Sequence, residues 1–293
     1  MKKFQQLVTK LQIKFFVQLF IIYQFSFIIT INAQQNTITS PQGIEFILIK
    51  PGKMVVGKFE PTVNQGYNFS GKSDRKTATK NQIHLPDSDY ELAEKLAKAD
   101  YSEGFEVEIK KAFYIGKFEI TQAQWKVVMG FNPSYFQENK GIDNADNHPV
   151  ESISWKDAQT FCKKLNTLDK THNYRLPTEF EWEYAARAGA VDDIPWGEIN
   201  KQAVIAKKTT SEVGSKSPNA WGIYDMLGNV WEWVEDIYNE KIFADRISPK
   251  KGKEHVLKGA PFYGDVKNAT YMTHAAGPGS KYDVGFRIVM DSK

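Results

Sequence analysis

Cys162 is the only cysteine in this chain of 293 residues, and this limits how the fold can be held together. A single thiol cannot form an intramolecular disulfide, a zinc site made only of cysteines, or a Cys-x-x-Cys redox centre. The folded chain must therefore be stabilised by its own core, by a metal ion or by a partner. A chain of this length can bury a core large enough for that purpose.

Residues 1–33 have the pattern of a secretory signal peptide. This stretch contains four lysines and no acidic residue, and an apolar run extends from 15 to 31. Ala33 then stands before the polar Gln34, as a small residue stands before a signal peptidase site. We predict cleavage here and export of the mature domain, 34–293, to the periplasm or the outside of the cell. The alternative is an uncleaved membrane anchor, because the apolar run approaches the roughly 20 residues that span a bilayer.

Removal of this segment leaves a nearly neutral domain. The sequence has 38 basic and 35 acidic side chains, so the loss of four lysines leaves 34 against 35. Such a domain has no electrostatic basis for binding nucleic acid. No later apolar stretch is long enough to cross a membrane, and acylation as a lipoprotein needs a cysteine near residue 33, which the sequence lacks. We therefore predict no stable membrane span after signal cleavage.

The remaining sequence predicts a single irregular α+β domain of short elements and long loops. Cap residues predict three helices, which begin after Thr121, Ser154 and Thr178 and end near 129, 165 and 188. Apolar runs predict strands, with 113–115 continuing the sheet of 105–109. The predicted strands are 44–49, 54–56, 105–109, 113–115, 230–234, 255–257 and 285–290. An insertion at about 60–104 contains a polar loop and a helix predicted at 88–99.

The tryptophans are concentrated in one part of the chain. All seven fall between residues 125 and 233. Because each buries a large area and prefers a partner for its indole N–H, this density indicates a rigid core with many loops.

Five blocks along the chain carry a resemblance to one family. They are 113–121, 148–155, 174–187, 221–233 and 285–287, and the most specific sequences are Arg-Leu-Pro-Thr-Glu at 175–179 and Gly-Asn-Val-Trp-Glu-Trp at 228–233. Over about residues 42–290 the chain resembles the formylglycine-generating enzyme family, also called the sulfatase-modifying factor domain. The resemblance implies a compact fold with little regular secondary structure, related to C-type lectin domains.

For catalytic members, the resemblance implies oxidation of a substrate cysteine to formylglycine by oxygen, at a copper ion held by two cysteines. Soft thiolates suit Cu(I). The family's cysteines follow a stretch whose match here is 258–262, and an ungapped continuation places Gly264 and Ala269 at their positions. We therefore expect neither a copper site nor catalytic residues of this type. Cys162, on a predicted helix, is expected to pack as a small hydrophobic side chain.

The resemblance also implies a calcium site in the loop 225–232. Its ligands would be the side chains of Asp225 and Glu232 and the backbone carbonyls of Gly228 and Val230. Carboxylate and carbonyl oxygens suit Ca²⁺, and a glycine permits the tight turn that points carbonyls inward. The alternative is an Asx turn that leads into a strand without a metal ion. The sequence leaves both interpretations open.

Several other polar residues of the family blocks are expected to be structural. Glu179, Glu181 and Glu183 lie on alternate positions of a helix, which do not face one another, so acid–base catalysis is not expected there. We predict that Glu181 caps the helix and that the other two are solvated or ion-paired. Arg287 is expected to pair with a carboxylate, and His148 to make a structural hydrogen bond.

Three functional hypotheses follow. The first is a secreted domain of this family that lacks copper oxidase chemistry and acts as a binding or structural module for a peptide, glycan or protein. The second is a divergent metal-dependent oxidase, with Asp265, His255 and His274 as candidate ligands. The third is recognition of glycan or peptide on the lectin-like surface. Its candidate residues are Trp196, Trp221 and Tyr263.

Overall fold

The computed structural model describes residues 37–57, 104–194, 198–265, 269–277 and 281–292. The chain from Thr39 to Lys293 forms one compact unit, and of the unit before it only Thr37 and Ile38 are described. The predicted signal segment and most of the 60–104 insertion, with its predicted helix, lie outside these ranges. Within them, no helix combines the length and the apolar character needed to cross a membrane.

The elements are short, as the sequence predicts. The helices are α1 (Gln122–Met129), α2 (Trp155–Leu168), α3 (Glu179–Arg187) and α4 (Ile242–Asp245). The strands are β1 (Thr37–Thr39), β2 (Glu45–Ile49), β3 (Gly52–Val56), β4 (Phe105–Ile109), β5 (Phe113–Gly116), β6 (His172–Arg175), β7 (Trp231–Ile237), β8 (His255–Lys258), β9 (His274–Gly277), β10 (Val284–Gly285) and β11 (Val289–Ser292). This mixture of helices and sheets with long connections is the predicted α+β class.

Two sheets frame the core of the compact unit. In the first, β2, β5, β11 and β6 lie side by side and are antiparallel. In the second, the order is β10, β7, β8 and β9, with β10 parallel to β7. Helix α3 packs against β7 and β8 of the second sheet and against β4. Its Trp182 and Ala185 belong to the main hydrophobic core. The short strand β10 follows the loop that carries Tyr282.

The prediction that β5 continues the sheet of β4 is wrong. β4 pairs with β3 in a separate two-stranded sheet, whereas β5 pairs with β2 and β11. The burial patterns explain the difference, because β4 alternates between exposed and covered residues while three of the four residues of β5 are buried. The predicted strand 285–290 is likewise divided into β10 and β11 by the buried residues 286–288.

The predicted helix starts are confirmed. Thr121, Ser154 and Thr178 each accept a hydrogen bond from the backbone N–H three residues later, and each forms a full capping box. Helix α2 extends three residues beyond the predicted end at 165. Its buried residues recur at helical spacing and include Cys162, which is 3% exposed.

The tryptophan-rich region forms core, as predicted. Trp125, Trp182 and Trp233 are fully buried, whereas Trp155, Trp221 and Trp231 are half-buried. The indole N–H of Trp182 donates to Glu232, and that of Trp233 donates to the carbonyl of Ile153. Trp196 lies outside the described residues.

Candidate functional site

The four residues predicted to bind calcium lie in a buried turn that leads into β7. Gly228 has a φ of 85°, and a Cβ at this position would lie 2.3 Å from the carbonyl oxygen of Val204. Only glycine therefore fits this turn. Asp225 is 2% exposed, and Val230 and Glu232 are fully buried.

Both carboxylate oxygens of Glu232 are occupied by protein donors. Arg287 donates from Nη2 to Oε1 (2.7 Å) and from Nε to Oε2 (2.7 Å). Trp182 donates its indole N–H to Oε2 (2.8 Å). Arg287 also donates to the carbonyl oxygens of Gly116, Tyr224 and Asp225. The expected pairing of Arg287 with a carboxylate is therefore confirmed, and the guanidinium joins this turn to β5.

Two further carboxyl groups surround the same guanidinium. Burial raises the pKa of Glu119 well above its ordinary value, and the charges of Asp225 and Glu232 raise it further. Burial also raises the pKa of Asp225 to about 6, although the backbone N–H of Gly214 and the charge of Arg287 oppose this shift. These shifts have the direction expected when several buried carboxyl groups share one cation and repel one another.

Asp225 supplies a buried side-chain oxygen without a hydrogen-bond partner in this turn. Its Oδ2 accepts from the backbone N–H of Gly214 (2.6 Å), while its buried Oδ1 has no hydrogen-bond partner. Oδ1 of Asp225 is therefore suited to bind a calcium ion. The predicted site also includes Glu232, whose carboxylate already accepts hydrogen bonds from Arg287 and Trp182. Calcium binding at this turn stays a prediction, and the ion would share Glu232 with Arg287 and Trp182 or displace them.

Gly264 and Ala269, the positions at which the ungapped alignment predicts the family's copper ligands, carry no thiol. Gly264 is buried, and its backbone N–H donates to the carbonyl of Pro261 (2.9 Å). Ala269 is 1% exposed and belongs to the main hydrophobic core. Cys162 lies in α2 and packs as predicted, and burial raises the pKa of its thiol far above the ordinary value. Its reactivity as a thiolate is suppressed accordingly.

Almost the whole domain matches a known protein family. The family model described as the sulfatase-modifying factor enzyme 1-like domain matches residues 34–292. This chain belongs to that family. The fold agrees with this assignment, because the structure of PvdO from Pseudomonas aeruginosa matches with a TM-score of 0.64 over 87% of this chain and 97% of that chain. At 20% identity, that likeness shows the fold alone.

The curated relatives of this sulfatase-modifying factor domain include a protein named as a chaperone, a named enzyme and a protein named as inactive. The chaperone protein LppX of Paenibacillus barcinonensis is 33% identical over 41% of this chain and 61% of its own length. The formylglycine-generating enzyme of Mus musculus is 30% identical over 47% of this chain and 42% of its own. The inactive C-alpha-formylglycine-generating enzyme 2 of Bos taurus is 36% identical over 33% of this chain and 36% of its own. The matches thus span about two fifths to three fifths of each relative.

A second buried charge cluster lies beside the stretch that matches the family's copper loop, and sequence reasoning missed it. Lys258 is fully buried, and its Nζ lies 3.3 Å from Oε2 of Glu183 and 3.8 Å from Oε1 of Glu179. Arg187 donates to Oε1 of Glu183 from Nε (2.9 Å) and Nη2 (2.7 Å). The two glutamates are therefore ion-paired and not solvated. The available signal was the place of Lys258 at the start of the stretch 258–262, which matches a family motif.

The candidate ligands of a divergent oxidase do not converge. Nδ1 of His274 lies 3.1 Å from Oε1 of Glu179. The ring of His255 stacks on Trp155, with ring centroids 3.7 Å apart. His274 faces Lys258 across the β8–β9 ladder, whereas His255 faces Gly277. The two histidines therefore lie three positions apart along the ladder, and three positions along a strand span about 10 Å. In the described part of the chain, no group of three or more His, Cys, Asp or Glu side chains is arranged to hold a metal ion.

The expected structural role of His148 is confirmed. Its Nδ1 lies 2.9 Å from Oγ1 of Thr210, and the ring is almost completely buried. Burial lowers the pKa of His148. The ring borders an open groove of about 580 Å³ that also includes Glu212. Glu212 accepts hydrogen bonds from the side chains of Asn144 and Asn147.

Three exposed tyrosines form one surface beside Gly264. Tyr135, Tyr263 and Tyr282 are 54%, 51% and 48% exposed, and we call them the tyrosine surface. The ring centroids of Tyr135 and Tyr282 lie 6.0 Å apart. The sequence singled out Tyr263, but the three residues are far apart in the chain, so no local pattern could have grouped them. Trp221, named with Tyr263, instead packs edge-on against Tyr184 at 5.1 Å.

Two buried phenylalanines support these rings. Phe136 contacts Tyr135 and Tyr282 at centroid distances of 5.2 and 6.0 Å. Phe262 contacts Tyr263 and Tyr282 at 5.2 and 6.3 Å. Phe136 and Phe262 meet edge to face at 5.3 Å. The five rings therefore form one continuous aromatic cluster with its outer three members open to solvent.

Proposed function

We propose that this chain is a secreted member of the sulfatase-modifying factor family that lacks copper-dependent oxidase activity and acts as a binding module. One observation carries the proposal. Gly264 and Ala269 stand where the ungapped alignment predicts the copper-binding cysteines, and the chain's one thiol, Cys162, is buried in α2. Two thiolates are needed to hold Cu(I) and leave a position for the substrate's own thiolate.

The named relatives are compatible with this proposal. One matching protein is called an inactive formylglycine-generating enzyme, and another is called a chaperone. The first name describes one relative as inactive, and the second names a relative for a role other than oxidation. Fold membership alone does not determine function, so the argument depends on the residues at positions 264 and 269.

Metal content tests the proposal directly. The purified mature protein would be incubated separately with Cu(I), Fe(II) and Ca²⁺, freed of excess metal by gel filtration and measured by elemental analysis. The mouse formylglycine-generating enzyme, treated in parallel, is the positive control for copper. We expect far less than one equivalent of copper or iron per chain. One tightly bound equivalent of either metal would support a divergent oxidase and contradict the proposal.

Secretion is proposed from the 1–33 segment and has its own test. We expect the exported protein to begin at Gln34, because Ala33 is the small residue that precedes the polar stretch. N-terminal sequencing of the protein recovered outside the cytoplasm measures this. A protein that retains residue 1 and sediments with membranes would instead support the uncleaved anchor.

A further inference from the structure

The tyrosine surface is carried on loops whose backbone is held in place. The N–H of Phe136 donates to Oε1 of Glu151 (2.8 Å), and its carbonyl accepts from Nε2 of Gln122 (2.8 Å). The N–H of Phe262 donates to the carbonyl of Asn229 (2.7 Å). Rigidly supported tyrosine rings provide contact area at a low cost in conformational entropy. The arrangement is therefore suited to binding.

An acceptor without a donor lies next to these rings. Asp283 is 6% exposed, and its Oδ2 accepts from the hydroxyl of Tyr263 at 2.5 Å. Its Oδ1 is buried and has no hydrogen-bond partner. Buried carboxylate oxygens are normally satisfied. Glu151 lies close enough for the charge of Asp283 to raise its pKa, which burial already raises to about 7. A ligand that brings hydroxyl or N–H donors would satisfy this acceptor.

The charges around the surface exclude some ligand classes. Nζ of Lys140 lies 5.7 Å from the ring centroid of Tyr135. Exposed Lys281 precedes Tyr282, and the backbone N–H of exposed Lys207 donates to Phe262. The ammonium group of Lys140 would repel a second cationic side chain from the ring of Tyr135. The carboxyl groups of Asp283 and Glu151 disfavour an anion in the same way.

A proline-rich peptide also fits this chemistry poorly. Aromatic surfaces can bind proline rings. Proline, however, has no N–H to donate to the unpartnered Oδ1 of Asp283. A neutral sugar combines the two features that the site needs. Its ring presents an apolar C–H face to an aromatic ring, and its hydroxyl groups are donors.

We infer that the tyrosine surface binds a neutral saccharide chain, whose sugar rings stack on Tyr135, Tyr263 and Tyr282 and one of whose hydroxyls donates to Asp283. This inference rests on the proposed function as a binding module and names its ligand class. It places the ligand beside Gly264, where catalytic relatives have a copper ligand. The binding uses no metal ion, so it persists in a chelator.

Affinity electrophoresis tests the inference with defined probes. The mature protein would be run in native gels that contain laminarin, dextran or hydroxyethyl cellulose, all with EDTA, and in gels without polysaccharide. We expect at least one polysaccharide to retard the protein. Tyr135→Ala and Tyr282→Ala should each raise the apparent Kd at least tenfold, whereas Tyr135→Phe, which keeps the ring, should bind within about twofold of the parent.

Phe131→Ala is the matched control, because Phe131 is also 54% exposed but packs against Trp125 instead of the tyrosine surface. Its binding should equal that of the parent, and the thermal melting of each variant reports its folding. Absence of retardation by all three polysaccharides overturns the inference, as does retardation that the two alanine variants leave unchanged. Neither result affects the proposal that the domain lacks oxidase activity. That proposal is tested separately, by metal content and by aldehyde formation.

Discussion

Arg287 shows how much of this fold depends on one buried charge. Its guanidinium donates to both oxygens of Glu232 and to three backbone carbonyls, and both side chains are fully buried. Removing one partner of such a pair leaves the other charge buried without compensation. The residue therefore holds the turn at 225–232 against the β-sheet, and its contribution is structural.

We expect Arg287→Met to lower the free energy of unfolding by roughly 3–5 kcal/mol, as found for broken buried ion pairs. Urea denaturation followed by tryptophan fluorescence measures this. Lys53→Met is the matched control, because the pair of Lys53 with Glu106 is exposed and should contribute little. Equal effects of the two substitutions would contradict the assigned role of Arg287.

Glu151 gives the protein a pH dependence of definite sign. Burial raises its pKa from 4.5 to about 7, so the folded state keeps a proton that the unfolded state has lost. This contribution to stability is complete below about pH 4.5 and is lost as the pH rises through about 7. Asp193 and Asp225, with pKa values of about 6, act in the same direction.

The free energy of unfolding should therefore fall between about pH 5 and pH 8. Glu151→Gln cannot titrate at this position, so its free energy of unfolding should fall less over the same interval. Urea titrations at several pH values measure both slopes. A parent protein whose stability rises over this range, or a variant with an unchanged slope, would be inconsistent with a raised pKa at Glu151.

At the scale of elements, the turn before β7 needs glycine at position 228. Gly228→Ala places a methyl group 2.3 Å from the carbonyl oxygen of Val204, whereas a Cβ on Gly130, with a similar φ of 88°, meets nothing within 4 Å. Gly130→Ala therefore carries only the left-handed strain, about 1–2 kcal/mol. We expect Gly228→Ala to lower the free energy of unfolding clearly more than Gly130→Ala does. Similar losses for the two variants would mean that the backbone of the turn shifts to accommodate the methyl group.

The same turn is where calcium binding is tested. If the ion binds, Ca²⁺ added to the EDTA-treated protein should raise Tm with a saturable dependence, because a ligand of the folded state stabilises it. Asp225→Asn should weaken that effect, since it removes the negative charge of a side chain that has an unpartnered buried oxygen. A Tm that does not respond to Ca²⁺ would favour the Asx turn without metal.

Elements were predictable where their signals are local. The caps at Thr121, Ser154 and Thr178 involve partners three residues away, so a short window of sequence contains them. Strand partners are not local. β2 and β3 flank one turn, yet they pair with β5 and β4 in different sheets. Their pairing follows from which faces are buried, and this depends on the whole fold.

At the scale of the molecule, the family blocks predicted the fold and a carboxylate partner for Arg287, but not which residues meet at the site. Glu232 and Arg287 are 55 residues apart, and Lys258 and Glu183 are 75 apart. The grouping of Tyr135 with Tyr263 and Tyr282 likewise needs the folded chain. What the sequence could provide was the identity of positions 264 and 269, and the functional proposal depends on these.

Aldehyde formation tests the loss of oxidase chemistry most directly. A cysteine-containing sulfatase peptide would be incubated with oxygen and with the Cu(I)-treated mature protein, and the formylglycine aldehyde would be captured by a hydrazide probe and measured by mass spectrometry. The mouse formylglycine-generating enzyme provides the positive control. We predict no aldehyde above the level that copper alone produces. Copper-dependent, catalytic conversion of the peptide by this protein would contradict the account.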